Sequence, residues 1–319
     1  MKRLSTRPTA LALALAGGVF AAGQAGAMHV AENGIGEVLL FPYYTTREGL
    51  DSLFWVINAS NYTAALRIRF REALNGRETL SLNVLLSPYD VWNGAITADP
   101  AGGALLRTYD QTCTEPALPV NPASGGRERA LGSYAYDGLD GNPKHALDGA
   151  GTSIDRVREG YFEVILMGVS SRTTTASANS VEYNAKHVNG VPRNCASVAA
   201  GFDDLATHFS SFSAPESILL GHATYIDVAN GKAIDVEPTA IERFAGRLNP
   251  NSAWPETGHL VQRADQPHPD LTDGDPNGIA EAHRQADGET ATASTQASAP
   301  YASSVDGISG LLATNAIIN

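Results

Sequence analysis

Leu66-Arg67-Ile68-Arg69-Phe70-Arg71, then Asn75-Gly76, then Thr79-Leu80-Ser81-Leu82-Asn83-Val84: this stretch decides the fold. Apolar and polar side chains alternate in both runs. A period of two turns one face of a strand to a core and the other to water. Asn-Gly between the runs supplies the positive φ of a tight hairpin. Arg67, Arg69 and Arg71 are therefore expected on the solvent face.

Working outward, Ser52 to Asn58 is apolar on both faces and reads as a central strand. Val38 to Tyr44 is similar, but Pro42 cannot donate to a ladder, which implies an edge or a bulge there. Residues 36–96 thus read as four or more consecutive strands, half of a sandwich completed later in the chain. Arg158 to Val169 restores the β signal, centred on 160–170. Ile218 to Val228 and Ala233 to Val236 flank a second Asn-Gly turn at Asn230-Gly231, giving a hairpin over 217–237. Proline and glycine punctuate residues 99–156, a loop-rich insertion. Val181 to His187 reads as a short helix or a turn, Cys195 to Phe202 as a short helix, and Pro238 to Phe244 as one or two helical turns. The expected fold is an all-β, antiparallel, Ig-like sandwich of about seven strands within residues 28–245, with long loop insertions and a few short helices.

The ends read differently. Lys2, Arg3 and Arg7, an Ala/Leu-rich run from Ala10 to Ala22 and Ala25-Gly26-Ala27 have the form of a secretory signal peptide over residues 1–27. Removing it takes the formal net charge from −12 to about −15, which disfavours nucleic acid as a partner. No later stretch approaches the roughly eighteen apolar residues of a membrane span. The chain is therefore expected in the periplasm or at the cell surface. Residues 246–303 have the composition of a flexible polar segment. Residues 304–319 turn apolar again at near-helical spacing (Val305, Ile308, Leu311, Leu312, Ile317, Ile318) and stop without a cap, which suggests a partner segment beyond them.

Cys113 and Cys195 are the two cysteines. An even count in an exported chain favours a disulfide, which would tie the loop after the first strand block to the second half of the chain. Other chemistry is sparse. No two of the eight histidines stand at an HxH or HExxH spacing, and there is no GxSxG elbow. His222 is the one histidine expected to be half-buried. Asp203-Asp204 and Glu163 are the carboxylates that a glycosidase pairing would need, as any acidic chain offers. No cofactor is expected, calcium being the one candidate. Asp137, Asp140 and Asp148 form one oxygen-rich stretch, and Asp270, Asp273, Asp275 and Asn277 another. Both read as polar turns, with calcium as the alternative. Tyr43, Tyr44, Trp55, Tyr89 and Trp92 fit two readings, core packing or a sugar-stacking platform on one sandwich face.

Several phrases together resemble a group of proteobacterial secreted cell-surface proteins: Gly36 to Tyr44, Asp51 to Asn58, Arg69-Phe70-Arg71-Glu72, Leu86 to Trp92, Arg158-Glu159-Gly160, His187 to Cys195 and the 218–236 hairpin. The resemblance covers residues 30–245 and the last dozen. It carries no known chemistry, so no catalytic residue transfers with it. Members of that group continue past a segment like Ile308 to Asn319 into further strands, which implies that this chain is C-terminally truncated relative to them. The expectation is a non-enzymatic surface protein, structural or adhesive, whose partners are envelope components or other surface proteins. The alternatives are a carbohydrate-binding module of the cell envelope and, further off, a secreted hydrolase.

Overall fold

The alternating runs form the hairpin they encode. Two antiparallel strands, Thr63–Glu72 and Glu78–Leu86, pair with Ile68 opposite Leu82 and Arg67 opposite Asn83. The computed structural model describes residues 29–141, 145, 147–172, 177–242, 244 and 261–265. Within them the strands are β1 (His29–Val30), β2 (Val38–Thr45), β3 (Leu50–Asn58), β4 (Thr63–Glu72), β5 (Glu78–Leu86), β6 (Val91–Ala98), β7 (Ala104–Thr108), β8 (Cys113–Glu115), β9 (Arg127–Ala130) and β10 (Glu159–Ser170). They continue as β11 (His187–Val188), β12 (Val191–Pro192), β13 (Leu219–Asp227), β14 (Lys232–Val236) and β15 (Thr239–Glu242). Three short helices are α1 (Val181–Ala185), α2 (Cys195–Gly201) and α3 (Leu205–His208).

The strands make two antiparallel sheets and a small hairpin. Sheet A has the order β1-β15-β2-β10-β4-β5-β8 and sheet B the order β14-β13-β3-β6-β7-β9, with β11-β12 apart. The all-β antiparallel sandwich is the expected one, with seven and six strands in its two main sheets. Between the sheets lies an aromatic core. Phe41 stacks on Phe162 at 4.2 Å between ring centroids, and Phe54 meets Phe162, Phe70 and Trp92 at 4.7, 6.0 and 5.6 Å. Offset and tilted ring pairs at these distances are favourable beyond the area they bury.

Four local expectations change. The 99–156 insertion contributes β7, β8 and β9, which extend both sheets, because strands of three to five residues hide between proline and glycine signals. Pro238 to Phe244 is not helical: Thr239, Ala240 and Ile241 pair with Leu40, Leu39 and Val38, so an open strand edge overrides local preference. Of the two alternatives for Pro42 the bulge is the one found: it lies in the register shift of β2 against β10, while β2 itself is flanked by β15 and β10. Arg67, Arg69 and Arg71 do not reach solvent; all ten residues of β4 are buried. The reason is a third layer. Helices α1–α3 and residues 261–265 cover the outer face of sheet A, with Phe202, Phe209, Phe212 and Phe244 packing on Leu40, Ile165 and Met167. Residues 261–265 fall inside the stretch read as flexible, yet Val261 and Ala264 are buried. Residues 1–27, 304–319 and the Asp270–Asn277 calcium candidate lie outside the described residues.

Gly160 shows how tightly β10 is held. A Cβ built on it would stand 1.8 Å from the Arg71 carbonyl oxygen. Gly160→Ala is expected to destabilise the fold by about 3 kcal/mol or more, since backbone rather than a flexible side chain must move. Urea unfolding of the variant checks this.

Candidate functional site

A buried arginine needs partners, and the outer face of sheet A supplies them. Glu163 Oε1 lies 2.6 Å from Arg69 Nη2 and 3.0 Å from Arg71 Nε. Arg67 donates from Nε to Asn83 Oδ1 at 2.7 Å and from Nη2 to the carbonyl oxygens of Gln262 and Arg263. Asn83 donates onward to Glu115, which also accepts the Ala264 N–H. Burial lowers the Arg67 pKa to about 10, with Glu78 and Glu115 opposing the shift. Glu163, a candidate acid from sequence, is therefore tied into a structural ion pair. Asp204, its proposed companion, caps α3 by accepting the Thr207 N–H, and Asp203 pairs with Arg263.

A second buried cluster joins the β4–β5 turn to the 131–158 segment. The Glu72 carboxylate accepts the backbone N–H groups of Leu74, Asn75 and Arg77. Arg156 Nη2 lies 2.9 Å from Glu72 and 2.8 Å from Asp148, and Nη1 donates to Asp148 and to the Gly151 carbonyl. Its guanidinium sits 3.9 Å over the Tyr136 ring. The fork from Arg156 holds the Asp148 carboxyl well below the usual range. Burial works against the Arg156 charge, but Asp148 and Glu72 outweigh it and raise its pKa. Asp148 therefore has no free oxygens for calcium. Asp137 accepts from Ser133 and the Leu139 N–H, and Asp140 pairs with His145. The first calcium candidate is a set of turns. Among the described residues no group of three or more His, Cys, Asp or Glu is placed to hold a metal ion.

The third cluster brings together two phrases a hundred residues apart. In Ser87-Pro88-Tyr89-Asp90, Asp90 Oδ2 accepts the Ser87 N–H and hydroxyl at 3.1 and 3.0 Å. His187 Nδ1, from the β11–β12 hairpin, lies 3.2 Å from that oxygen and 3.0 Å from Ser87 Oγ. Serine, histidine and aspartate in contact invite a nucleophile reading. The geometry opposes it: one ring nitrogen faces both partners, and the serine proton already goes to the carboxylate, whereas a relay needs the base between them. Burial raises the Asp90 carboxyl, with His187 opposing. The cluster locks a turn whose third residue, Tyr89, has φ 57° and is 70% exposed. Glycine normally occupies that position.

The aromatic set separates by depth. Tyr44 and Trp92 are core residues, fully buried, so the proposed row of Tyr43, Tyr44, Tyr89 and Trp92 is not a surface platform. Tyr43 is 38% exposed at the sandwich edge, its hydroxyl donating to Glu159 and its ring meeting Tyr225. Trp55, on the outer face of β3, is half-buried and lies 4.6 Å from the ring of His222 on β13. His222 Nε2 is 3.3 Å from Asp235, which also accepts the Thr224 hydroxyl. Cys113 and Cys195 form a disulfide with Cα atoms 4.9 Å apart, joining the edge strand β8 to the start of α2. No protein-family model, curated protein or solved structure matches the chain.

Arg156→Ala leaves Glu72 buried without its counter-charge and is expected to lower stability by about 3–5 kcal/mol at neutral pH. Asp148 sets the pH dependence. Its pKa is depressed in the fold, so its contribution is complete above the ordinary carboxylate value of about 3.9 and is lost as pH falls through and below it. The stability gap between wild type and Arg156→Ala should therefore narrow in urea titrations below about pH 4.

Proposed function

We propose that the protein is exported and serves as a structural or adhesive element of the cell surface, as the resemblance to secreted cell-surface proteins implies. The signal-type leader over residues 1–27 and the Cys113–Cys195 disulfide favour an oxidising compartment. Among the described residues no helix is long and apolar enough to cross a membrane. The ionisable clusters described above close on themselves, which supports a binding role over a hydrolytic one.

The observation that carries the reading is Tyr89. An L-residue in the left-handed region costs roughly 1–2 kcal/mol relative to glycine. Here a large aromatic takes that conformation and projects from a turn locked by Ser87, Asp90 and His187. Strain retained beneath an exposed ring fits a side chain kept for contact with a partner.

Tyr89→Gly separates the two roles. It should raise the unfolding midpoint, by up to about 1 kcal/mol in stability, while reducing attachment of the purified protein to cells of its host. Unchanged attachment sinks the adhesive reading of this turn. The half-exposed Trp55 beside His222 favours a second reading, a carbohydrate-binding face. Attachment competed by envelope polysaccharide and abolished by Trp55→Ala would select it.

A further inference from the structure

Asparagine followed by glycine is the sequence most prone to spontaneous deamidation. With no Cβ, the glycine nitrogen reaches the neighbouring side-chain amide unhindered. The chain holds six such pairs, beginning at Asn33, Asn75, Asn93, Asn189, Asn230 and Asn277, and sequence alone ranks them equally. Asn277 lies outside the described residues; the fold separates the other five. Asn33 Oδ1 accepts the Ile35 N–H. Asn75 donates its side-chain amide to Asp148, and the Gly76 N–H is held by the Glu72 carbonyl. Asn93 and Gly94 sit in the ladder opposite Trp55 and Phe54, with the Asn93 amide donating to Asp110. Asn230 donates to the Asp227 carboxylate from both Nδ2 and its main-chain N–H. Asn189 differs. Among the described residues neither its side chain nor the Gly190 N–H has a hydrogen-bond partner, and both residues are exposed. Its φ of 54° and the Gly190 φ of 81° make a two-residue hairpin turn. The hairpin it closes, β11–β12, has two residues in each strand and stands apart from both sheets. A ladder that short opens readily, which lets the turn sample the conformations that cyclisation needs.

We propose that Asn189-Gly190 is a deamidation site and that its modification unlocks the turn bearing Tyr89. The Gly190 nitrogen attacks Asn189 Cγ, the Cγ–Nδ2 bond breaks, and ammonia leaves with the Gly190 proton. The succinimide so formed takes up water at either carbonyl carbon and opens to aspartate or isoaspartate. Water is the only co-reactant, and nothing is oxidised or reduced. Isoaspartate routes the main chain through the former side chain. The two-residue turn then gains a methylene group, and Val188 no longer registers with Val191. That hairpin carries His187, whose Nδ1 lies 3.0 Å from Ser87 Oγ and 3.2 Å from Asp90 Oδ2. Displacing it removes the distant clamp on the 87–90 turn. The consequence reaches Tyr89 whatever that ring contacts, so the hairpin acts as a timer on the exposed aromatic.

Ageing the oxidised full-length chain at mildly alkaline pH tests both halves of the proposal. Trypsin cuts after Lys186 and Arg193, so one peptide, residues 187–193, carries Asn189 and His187 together. The folded protein is treated with diethyl pyrocarbonate, then digested at mildly acidic pH. Chromatography and mass separate the asparagine, aspartate and isoaspartate forms of the peptide, each with and without a modified histidine. Among the five described pairs, Asn189 should convert several-fold faster than any other. His187 should react several-fold faster in isoaspartyl molecules than in unmodified ones. His222, whose side chain is 27% exposed against 21% for His187, stands on the other hairpin and should react alike in aged and fresh protein. Asn189→Gly keeps the left-handed turn and removes the amide, so its His187 should not change with age. Equal or faster conversion at another described pair overturns the site, as does an Asn189 that converts only once urea unfolds the chain. A His187 that reacts no faster in the isoaspartyl form, or that loosens equally in aged Asn189→Gly, overturns the link to the Tyr89 turn.

Discussion

Everything on one side of this protein follows from the requirement that a buried charge be paired. Strand β4 alternates arginine with apolar residues as if one face met water, yet neither face does. Taking a guanidinium out of water is tolerated only with opposite charge or several acceptors in place. Glu163 answers Arg69 and Arg71, while Asn83 and two carbonyl oxygens from residues 262–263 answer Arg67. The carbonyl partners come from residues nearly 200 positions along the chain. That part of the polar C-terminal region is bound to the sheet because the sheet carries a charge there.

The same logic organises the insertion after β9. Glu72 at the end of β4 is fully buried and has its oxygens filled by three backbone N–H groups and Arg156. Arg156 in turn orders Asp148, Gly151 and the ring of Tyr136. The described residues of this glycine-rich segment are thereby fixed by ion pairs and the 3-10 turn Ile154–Arg158. On the far edge, the disulfide does for the helical layer what Arg156 does for this segment. It holds α2 against β8, so Phe202 and Phe209 pack on a layer that three short helices could not hold by propensity alone.

Among the described residues no such cover lies on the middle of sheet B. Its strands β13, β3 and β6 bury one face in the aromatic core and leave the other partly open with Trp55 at its centre. A sandwich stabilised internally on one side is free to use the other for contact. At one end of the molecule, the strained turn at Tyr89 is fixed by hydrogen bonds from a distant hairpin, so a surface aromatic is displayed on a rigid mount.

Local pattern determined the strands and their hairpins. The period-two runs of β4 and β5, the Asn-Gly turn at 230–231 and the helices at 181–185 and 195–201 all lie where residue chemistry places them. The pairing of Cys113 with Cys195 was legible from their count. Alternation along a strand, however, says which residues share a face and nothing about what covers it. Burial of Arg67, Arg69 and Arg71 depends on helices and a C-terminal stretch that no window around β4 contains. The conversion of residues 239–242 into a strand depends on an unpaired edge of β2, two hundred positions earlier. The meeting of Ser87, Asp90 and His187 and the outward placing of Trp55 have the same origin. Short-range sterics and hydrophobic period act within a few residues, whereas ion pairing, edge capture and the choice of covered face act between segments that only the folded chain makes neighbours.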